Sequence, residues 1–220
     1  LKKHPEVSVG VHLTLNAEWK NFRWGPVLGK QAVPSLVDSC GYFTPSRSLF
    51  YKNNPKLEEI ELELRAQIER AIQSGLKIDY VDYHMGTAVD KIEYREIVEK
   101  LAGEFDLGIS RYFGEEDMVN VYDVKTEDKA DSLKNILCNL KGTDTGLLVC
   151  HIGKEYPELC AMTDLNTFGL TDMCKHRSAE LEALKSVSKT KFDNIRFLTY
   201  RQKITETGLE NMKRPSSAGY

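Results

Sequence analysis

The sequence lacks any apolar run that approaches the roughly 20 residues needed to cross a membrane. It also lacks a block of like charge, because 30 Lys and Arg residues are balanced by 33 Asp and Glu residues, for a net charge of −3. Proteins that bind nucleic acid or anionic membranes usually carry a basic patch. We therefore expect neither nucleic acid nor a membrane among the partners.

Cysteine is scarce and shows no paired spacing. The five cysteines are an odd number without a CxxC pair: Cys40, Cys138, Cys150, Cys160 and Cys174. This pattern argues against a disulfide framework and against a cysteine-based zinc knuckle. No secretory hydrophobic segment follows Leu1. Reduced thiols favour a cytoplasmic location.

Several catalytic motifs are also absent. The chain has no GxGxxG, GxxxxGK[ST] or GxSxG sequence, so nothing supports nucleotide binding or serine hydrolysis. Its 220 residues suffice for one sizeable domain. We predict a single α/β domain over residues 1–205 and a flexible C-terminal tail over residues 206–220.

Alternating strands and helices predict a mostly parallel sheet. The predicted helices span residues 56–74, 91–105, 126–140 and 175–186. Predicted strands span residues 8–15, 78–83, 107–110, 146–151 and 195–198. Polar groups at several strand ends favour a (β/α) barrel over an open sheet, although the chain is shorter than the roughly 250 residues of a complete barrel.

Three of the five histidines lie in or at the end of predicted strands. His12 lies within an apolar run, and His84 and His151 follow the next two runs of this kind. Because strand ends of a parallel sheet meet at one edge, this pattern predicts a shared polar centre. His4 and His176 have no strand context and are not ligand candidates.

Two histidines from different strands and one carboxylate are a frequent open site for a divalent metal. His12 and His84 are the ligand candidates, and His151 is the candidate acid or substrate contact. A hydrogen-bonded structural histidine is the alternative for each of them. Asp82 shares a strand face with His84, so it is a ligand, an orienting partner or a strand-end cap.

Three further residues have simpler interpretations. Asp79 is expected to face solvent. Arg177 opens a helix and could pair with a site carboxylate, although a surface salt bridge is the default. Trp19 and the nearby Trp24 are expected to anchor their loop, with sugar stacking as the alternative.

Together, these residues resemble the YdjC/ChbG-like carbohydrate deacetylases. Gly10–Leu15 (GVHLTL) is similar to the GxHLTL motif of that family, and Tyr80–His84 (YVDYH) is similar to its (H/Y)-(I/V)-D-S-H block. Other similar segments follow in the family's order over nearly the whole chain: residues 33–43, an ExxxQ helix at Glu63–Gln67, Cys150–Gly153 (CHIG) and an RxxEL helix start at Arg177–Leu181.

The resemblance implies a deformed (β/α) barrel that removes acetyl groups from N-acetylated mono- or oligosaccharides. It also implies a divalent ion, zinc or magnesium, held by an aspartate, His12 and His84, with His151 near the substrate. Metal-bound water would attack the acetyl carbon. We assign Asp82 and Arg177, with His151, to the catalytic set.

The chain departs from the family pattern at its start. The family begins with a strand ending in Asp-Asp-Phe-Gly, which supplies one metal ligand and the general base, whereas this chain begins just before GxHLTL. We therefore expect a barrel that is incomplete at the N-terminus, either by truncation or by natural loss, and a possible homodimer through its exposed edge. The alternatives are a non-catalytic carbohydrate-binding or scaffolding protein and another metallohydrolase, such as a phosphoesterase.

Overall fold

The chain packs into two compact units, as seen in a computed structural model that describes residues 1–140 and 145–215. Unit 1 consists of Leu1–Glu18, Arg23–Phe113 and Leu198–Tyr220, and unit 2 consists of Trp19–Phe22 and Gly114–Phe197. The single domain predicted over residues 1–205 stays a prediction.

The fold is mixed α/β. Its strands are β1 (Gly10–Leu13), β2 (Tyr80–Tyr83), β3 (Gly108–Ile109), β4 (Glu115–Asp117) and β5 (Thr145–Leu147). Its helices are α1 (Arg47–Lys52), α2 (Leu57–Gln73), α3 (Ile92–Glu104), α4 (Lys129–Cys138), α5 (Pro157–Cys160), α6 (Met173–Val187) and α7 (Tyr200–Thr207). Short 3₁₀ helices cover Pro34–Leu36, His84–Val89, Thr126–Asp128 and Leu209–Asn211.

Unit 1 contains a parallel sheet in the order β1-β2-β3. The register places His12 opposite Asp82 and Leu13 opposite Tyr83. The predicted parallel arrangement is thus confirmed for these strands. No closed barrel is formed by the described residues, and the deformed barrel stays a prediction.

Helix α2 forms where the apolar spacing predicted it. Ile60, Leu64 and Ile68 recur every four residues and are fully buried in the core of unit 1. The helix ends before Gly75, whose φ of 74° lies in the left-handed region that glycine adopts without a steric cost. On α3, Ile97, Val98, Leu101 and Ala102 are buried as predicted, whereas Ile92 is exposed.

Two polar side chains of α2 fasten the chain around the end of β1. Gln67 accepts a hydrogen bond from the Thr14 amide and donates one to the Thr14 carbonyl. The buried Glu63 carboxylate accepts bonds from Gln67 and from the amides of Val27 and Leu28. Burial raises the pKa of Glu63 despite these bonds. This ExxxQ pair therefore fixes the backbone at Thr14, two residues after His12, and at Val27 and Leu28.

Unit 2 has a small core between α4 and α6. Its buried members are Val121, Leu133, Leu137, Ala183 and Val187. The expectation of reduced thiols is wrong for two of the five cysteines, because Cys160 and Cys174 are bonded with their Cα atoms 4.8 Å apart. Cys40, Cys138 and Cys150 are free. The spacing of 14 residues between the bonded cysteines follows no motif that would identify them.

The prediction that Asp79 faces solvent is wrong. Asp79 is buried and accepts hydrogen bonds from Arg201, from the Ser8 hydroxyl and from the Val9 amide. Burial alone would raise its pKa, but these bonds, led by those from Arg201, bring the pKa below the usual value. The ion pair fastens α7 to the start of β2.

Two predicted strands differ from the structure. The strand predicted to end at His151 stops at Leu147, and residues 148–156 have no regular structure. Residues 195–198 form no strand, and of their side chains that of Phe197 is exposed whereas that of Ile195 packs against the core of unit 2. A short apolar run alone does not distinguish a strand from a loop that covers a core.

Of the predicted tail, residues 206–215 are described and residues 216–220 lie outside the described residues. The described part contains the end of α7 and a 3₁₀ turn, and Arg214 forms a salt bridge with Glu99. No helix in the described part of the chain has the length and apolar character of a membrane span.

Candidate metal centre

The first predicted site residues meet across β1 and β2. Because His12 and Asp82 are partners in the parallel register, their side chains leave the sheet side by side. Nδ1 of His12 lies 2.8 Å from Oδ1 of Asp82. His12 is exposed and Asp82 is half-buried, so the pair lies at the surface of unit 1.

His84 follows β2 directly and begins a sharp turn. Met85 and Gly86 have φ angles of 52° and 71°, and the left-handed region is costly for a residue such as methionine. The chain turns so that His84 Nδ1 lies 3.3 Å from His12 Nε2. Its Nε2 lies 2.8 Å from Oε2 of Glu18, a buried carboxylate that follows β1.

The hydrogen bonds assign the tautomer of each imidazole. An ionised carboxylate only accepts, so Nδ1 of His12 and Nε2 of His84 are the N–H donors to Asp82 and Glu18. The two remaining nitrogens, Nε2 of His12 and Nδ1 of His84, face each other. Two imidazole nitrogens that face each other in this way can bind one cation.

The spacing of these two nitrogens fits a metal ion. Nitrogens bound to one tetrahedral zinc ion at about 2.05 Å lie about 3.3 Å apart, which is the observed separation. Imidazole nitrogens suit zinc, whereas magnesium prefers oxygen ligands. Metal-binding histidines commonly donate their other N–H to a carboxylate, as both rings do here. The donor set therefore fits a zinc ion at two coordination positions.

A third ligand is not provided by the described residues. Among residues 1–140 and 145–215, neither His12 nor His84 belongs to a group of three or more His, Cys, Asp or Glu residues that could hold a metal ion. Three potential ligand atoms do cluster at Glu155, Cys160 and Cys174. The two sulfur atoms there are joined in the disulfide and are not thiolates, so we assign no metal to that cluster.

The two tryptophans of the long loop differ in exposure. The Trp24 ring is half-buried and lies edge-on to His84, with 5.9 Å between the ring centroids. Trp19 is 5% exposed and belongs to unit 2, which agrees with its predicted role as a loop anchor. Trp24 thus forms one wall beside the histidine pair.

Two other predicted site residues lie in unit 2. His151 is exposed, its ring lies edge-on to Tyr122, and its backbone amide donates to Glu180. Arg177 lies within α6, with its guanidinium 5.1 Å from the centre of the Trp19 ring. His12, Asp82 and His84 thus lie close together within unit 1. The catalytic roles of His151 and Arg177 stay predictions.

Glu18 is the site residue that sequence analysis missed. It lies outside any helix or strand, between Ala17 and Trp19, which are both buried. In the sequence Glu18 is a single acidic residue in a mixed loop, and residue spacing gives no reason to pair it with His84. His4 pairs with the neighbouring Glu6 and has no part in the centre.

A model of YdjC-like proteins matches residues 1–192 of the chain. The chain belongs to the YdjC-like family. Among curated proteins it is 31% identical to a carbohydrate deacetylase of Enterococcus faecalis over 196 residues, which cover 83% of this chain and 71% of that protein. A carbohydrate deacetylase of Brevibacillus brevis is 41% identical over 83 residues, covering 38% of this chain and 29% of that protein.

A solved structure also resembles this YdjC-like chain. It is a protein of Enterococcus faecalis named for cellobiose-phosphate cleavage, with 22% sequence identity and a TM-score of 0.65. The match covers 90% of this chain and 78% of the solved one. At this identity the likeness supports the fold alone, and it agrees with the mixed α/β architecture.

Proposed function

We propose that this YdjC-like chain is a metal-dependent N-deacetylase that hydrolyses the acetamide group of N-acetylated mono- or oligosaccharides. The observation that carries the proposal is the pair of opposed imidazole nitrogens, 3.3 Å apart, each ring bound to a carboxylate on its other side. The names of the curated relatives support a carbohydrate substrate.

His12 and His84 would hold the ion, and zinc fits their nitrogens better than magnesium. When bound, a divalent cation supplies Lewis acidity for the acetamide carbonyl and lowers the pKa of water. Asp82 and Glu18 keep the imidazoles in the tautomers that present a lone pair. Asp82 is therefore a positioning residue for His12.

The reaction consumes one water molecule and breaks the bond between the acetyl carbon and nitrogen. Acetate and the free amino sugar are formed, and the amine must gain a proton as it leaves. His151 is our candidate for the donor because its motif resembles the family's site histidine. For Arg177 we propose a role in substrate contact, since its guanidinium has N–H donors that sugar hydroxyls can accept and lies over the Trp19 ring.

A second function has a specific observation in its favour. Catalytic zinc usually has three protein ligands, and the described residues bring only two imidazole nitrogens together. A non-catalytic carbohydrate-binding protein would keep the sugar contacts without turnover. The same experiment separates the two functions.

The test is acetate release from N-acetylglucosamine and its β-1,4 oligomers by chain stripped with a chelator and resupplied with Zn²⁺ or Mg²⁺. We expect acetate and free amine in equal amounts, only with added metal. His12→Ala and His84→Ala should fall to background, because each removes one nitrogen ligand.

His4→Ala is the matched control, since His4 is exposed and pairs with Glu6 and not with either ligand. It should keep the wild-type rate. Sugar binding without acetate at any metal concentration would favour the non-catalytic function. Acetate release that survives both the chelator and the two ligand substitutions would overturn the metal centre.

A further inference from the structure

We propose that Lys129 and Glu180 form a buried ion pair that positions His151 for its reaction step. This inference rests on the proposed function, which gives His151 a role in proton transfer. Lys129 begins α4, Glu180 lies in the middle of α6, and both belong to unit 2 with His151. Neither residue was singled out as a site residue by the sequence analysis.

Glu180 fixes the backbone of His151. Its side chain is 2% exposed, and its Oε1 accepts a hydrogen bond of 2.7 Å from the His151 amide. Two residues later, the Gly153 amide donates to the Arg177 carbonyl on the same helix. A Cβ built at Gly153 would lie 3.4 Å from Cβ of Arg177, so the segment packs closely against α6. The CHIG segment is thus held on α6.

The Lys129 ammonium contacts both the Glu180 carboxylate and the backbone next to the His151 ring. It is fully buried, with Nζ 3.8 Å from Oε2 of Glu180. The same ammonium donates to the carbonyls of Val121 and Tyr122. The Tyr122 ring lies edge-on to the His151 ring, with 5.2 Å between centroids. One buried cation therefore fixes the carboxylate that binds the His151 amide and the backbone of the residue beside its ring.

Such a pair is an unusual choice for stability alone. A buried ion pair loses hydration energy, and apolar residues of similar volume are often equally stabilising. Burial lowers the pKa of Lys129 and raises the pKa of Glu180, although each partner favours the charge of the other. What the pair provides, and an apolar pair would not, is directed hydrogen bonding to the His151 segment.

The ion pair does not activate the neighbouring Cys150 as a nucleophile. Burial, followed by the nearby Glu180 carboxylate, raises the pKa of the Cys150 thiol to about 11. Because the thiolate is the nucleophilic form of cysteine, Cys150 remains an inert thiol at neutral pH. The ion pair therefore acts on His151 and not on a cysteine nucleophile.

The test compares Glu180→Gln, Lys129→Met and the double variant Lys129→Met/Glu180→Met. The double variant removes both charges together, so it avoids an unpaired buried charge and should fold. Controls on the same helices are Glu182→Gln and Lys134→Met, because both residues are exposed. One readout is the ¹³C–¹H NMR signal of the His151 ring and its pH titration, assigned with His151→Gln. The other is the split between kcat and KM.

We expect the three pair variants to shift the His151 signal and its titration midpoint, while the two controls do not. Displacement of a catalytic group by about 1 Å can cost up to about 100-fold in rate, so kcat should fall about 10- to 100-fold with a smaller change in KM. A folded double variant with an unchanged His151 signal and kcat would overturn the inference. If His151→Gln itself keeps full activity, the proposed role of His151 fails, while the NMR signal still tests the positioning.

Discussion

At the scale of single residues, the candidate metal centre consists of two histidines, each of which is hydrogen-bonded to a carboxylate. Asp82 reaches His12 through the register of neighbouring strands, and Glu18 reaches His84 from a loop. The carboxylates differ in exposure, since Glu18 is 5% exposed and Asp82 is half-buried. Water can replace an exposed partner more readily than a buried one. Glu18 is therefore the carboxylate whose loss should matter more.

Glu18→Gln should weaken divalent metal binding about 10- to 100-fold, the range found for partners that orient metal-binding histidines. An amide keeps the shape of the side chain but loses the charge that favours the N–H tautomer at His84 Nε2. Calorimetric titration with Zn²⁺ measures the effect. Glu58→Gln, on the exposed face of α2, is the control and should bind like the wild type. An affinity equal to that of the wild type in Glu18→Gln would contradict this role.

At the scale of elements, the sequence patterns predicted the helices and strand ends that are determined by residues close together in the chain. The spacing of Ile60, Leu64 and Ile68 predicted α2, and the strand ends at His12 and His84 predicted their proximity. The same patterns could not predict pairs of residues that are far apart in the sequence. Glu18 is 66 residues from His84 and Arg201 is 122 residues from Asp79, so no periodicity connects either pair.

The strand predicted up to His151 shows a further limit. The apolar residues 147–150 favoured a strand, but the Glu180 carboxylate and the Arg177 carbonyl take the amides of His151 and Gly153. Backbone groups bound by a helix cannot pair with a neighbouring strand. Tertiary contacts thus overrode the local preference.

The Asp79–Arg201 pair should make the stability of the protein depend on pH. The pKa of Asp79 is lowered in the folded protein. Its contribution is therefore fully present above the pKa of the unfolded chain, about 3.9, and is lost as the pH falls through the lower folded pKa. Urea unfolding between pH 2 and pH 7 should show this loss in the wild type and a weaker one in Asp79→Asn.

Asp193→Asn is the control for this measurement, since Asp193 is exposed and should leave the pH profile unchanged. Asp79→Asn should also be less stable than the wild type at pH 7, because a neutral amide cannot pair with the guanidinium. Equal profiles in the wild type and Asp79→Asn would show that the ion pair adds no pH-dependent stability.

At the scale of the whole molecule, the two units are stabilised differently. Unit 1 has the larger core and a three-stranded parallel sheet, whereas unit 2 has a small core, a two-stranded parallel sheet and the Cys160–Cys174 disulfide. Small cores are often supplemented by a disulfide. The cytoplasmic location predicted from reduced thiols loses that support and stays a prediction.

The oligomeric state can be checked by light scattering. Among the described strands, β1 lies at one edge of the sheet of unit 1. An edge strand with unpaired backbone groups favours pairing with another chain. The homodimer predicted from the sequence therefore remains our expectation, and a monomer at all concentrations would contradict it.

Thiol titration in denaturant without reductant should find three free thiols out of the five cysteines, namely Cys40, Cys138 and Cys150. Removal of the bond in Cys160→Ser/Cys174→Ser should destabilise unit 2 by about 3 kcal/mol, the value expected for closure of a loop of about 15 residues. Cys40→Ser is the control, because Cys40 is exposed and unbonded. Five reactive thiols before reduction would contradict the bond.

The most direct test of the central claim is the metal stoichiometry of the purified chain. The wild type and the variants His12→Ala, His84→Ala and His4→Ala would be stripped, titrated with Zn²⁺ and analysed for bound metal. We predict one ion per chain in the wild type and in His4→Ala, and no ion at the same concentrations in the two ligand variants. A wild-type chain that binds no zinc, or ligand variants that keep it, would contradict a metal centre at His12 and His84.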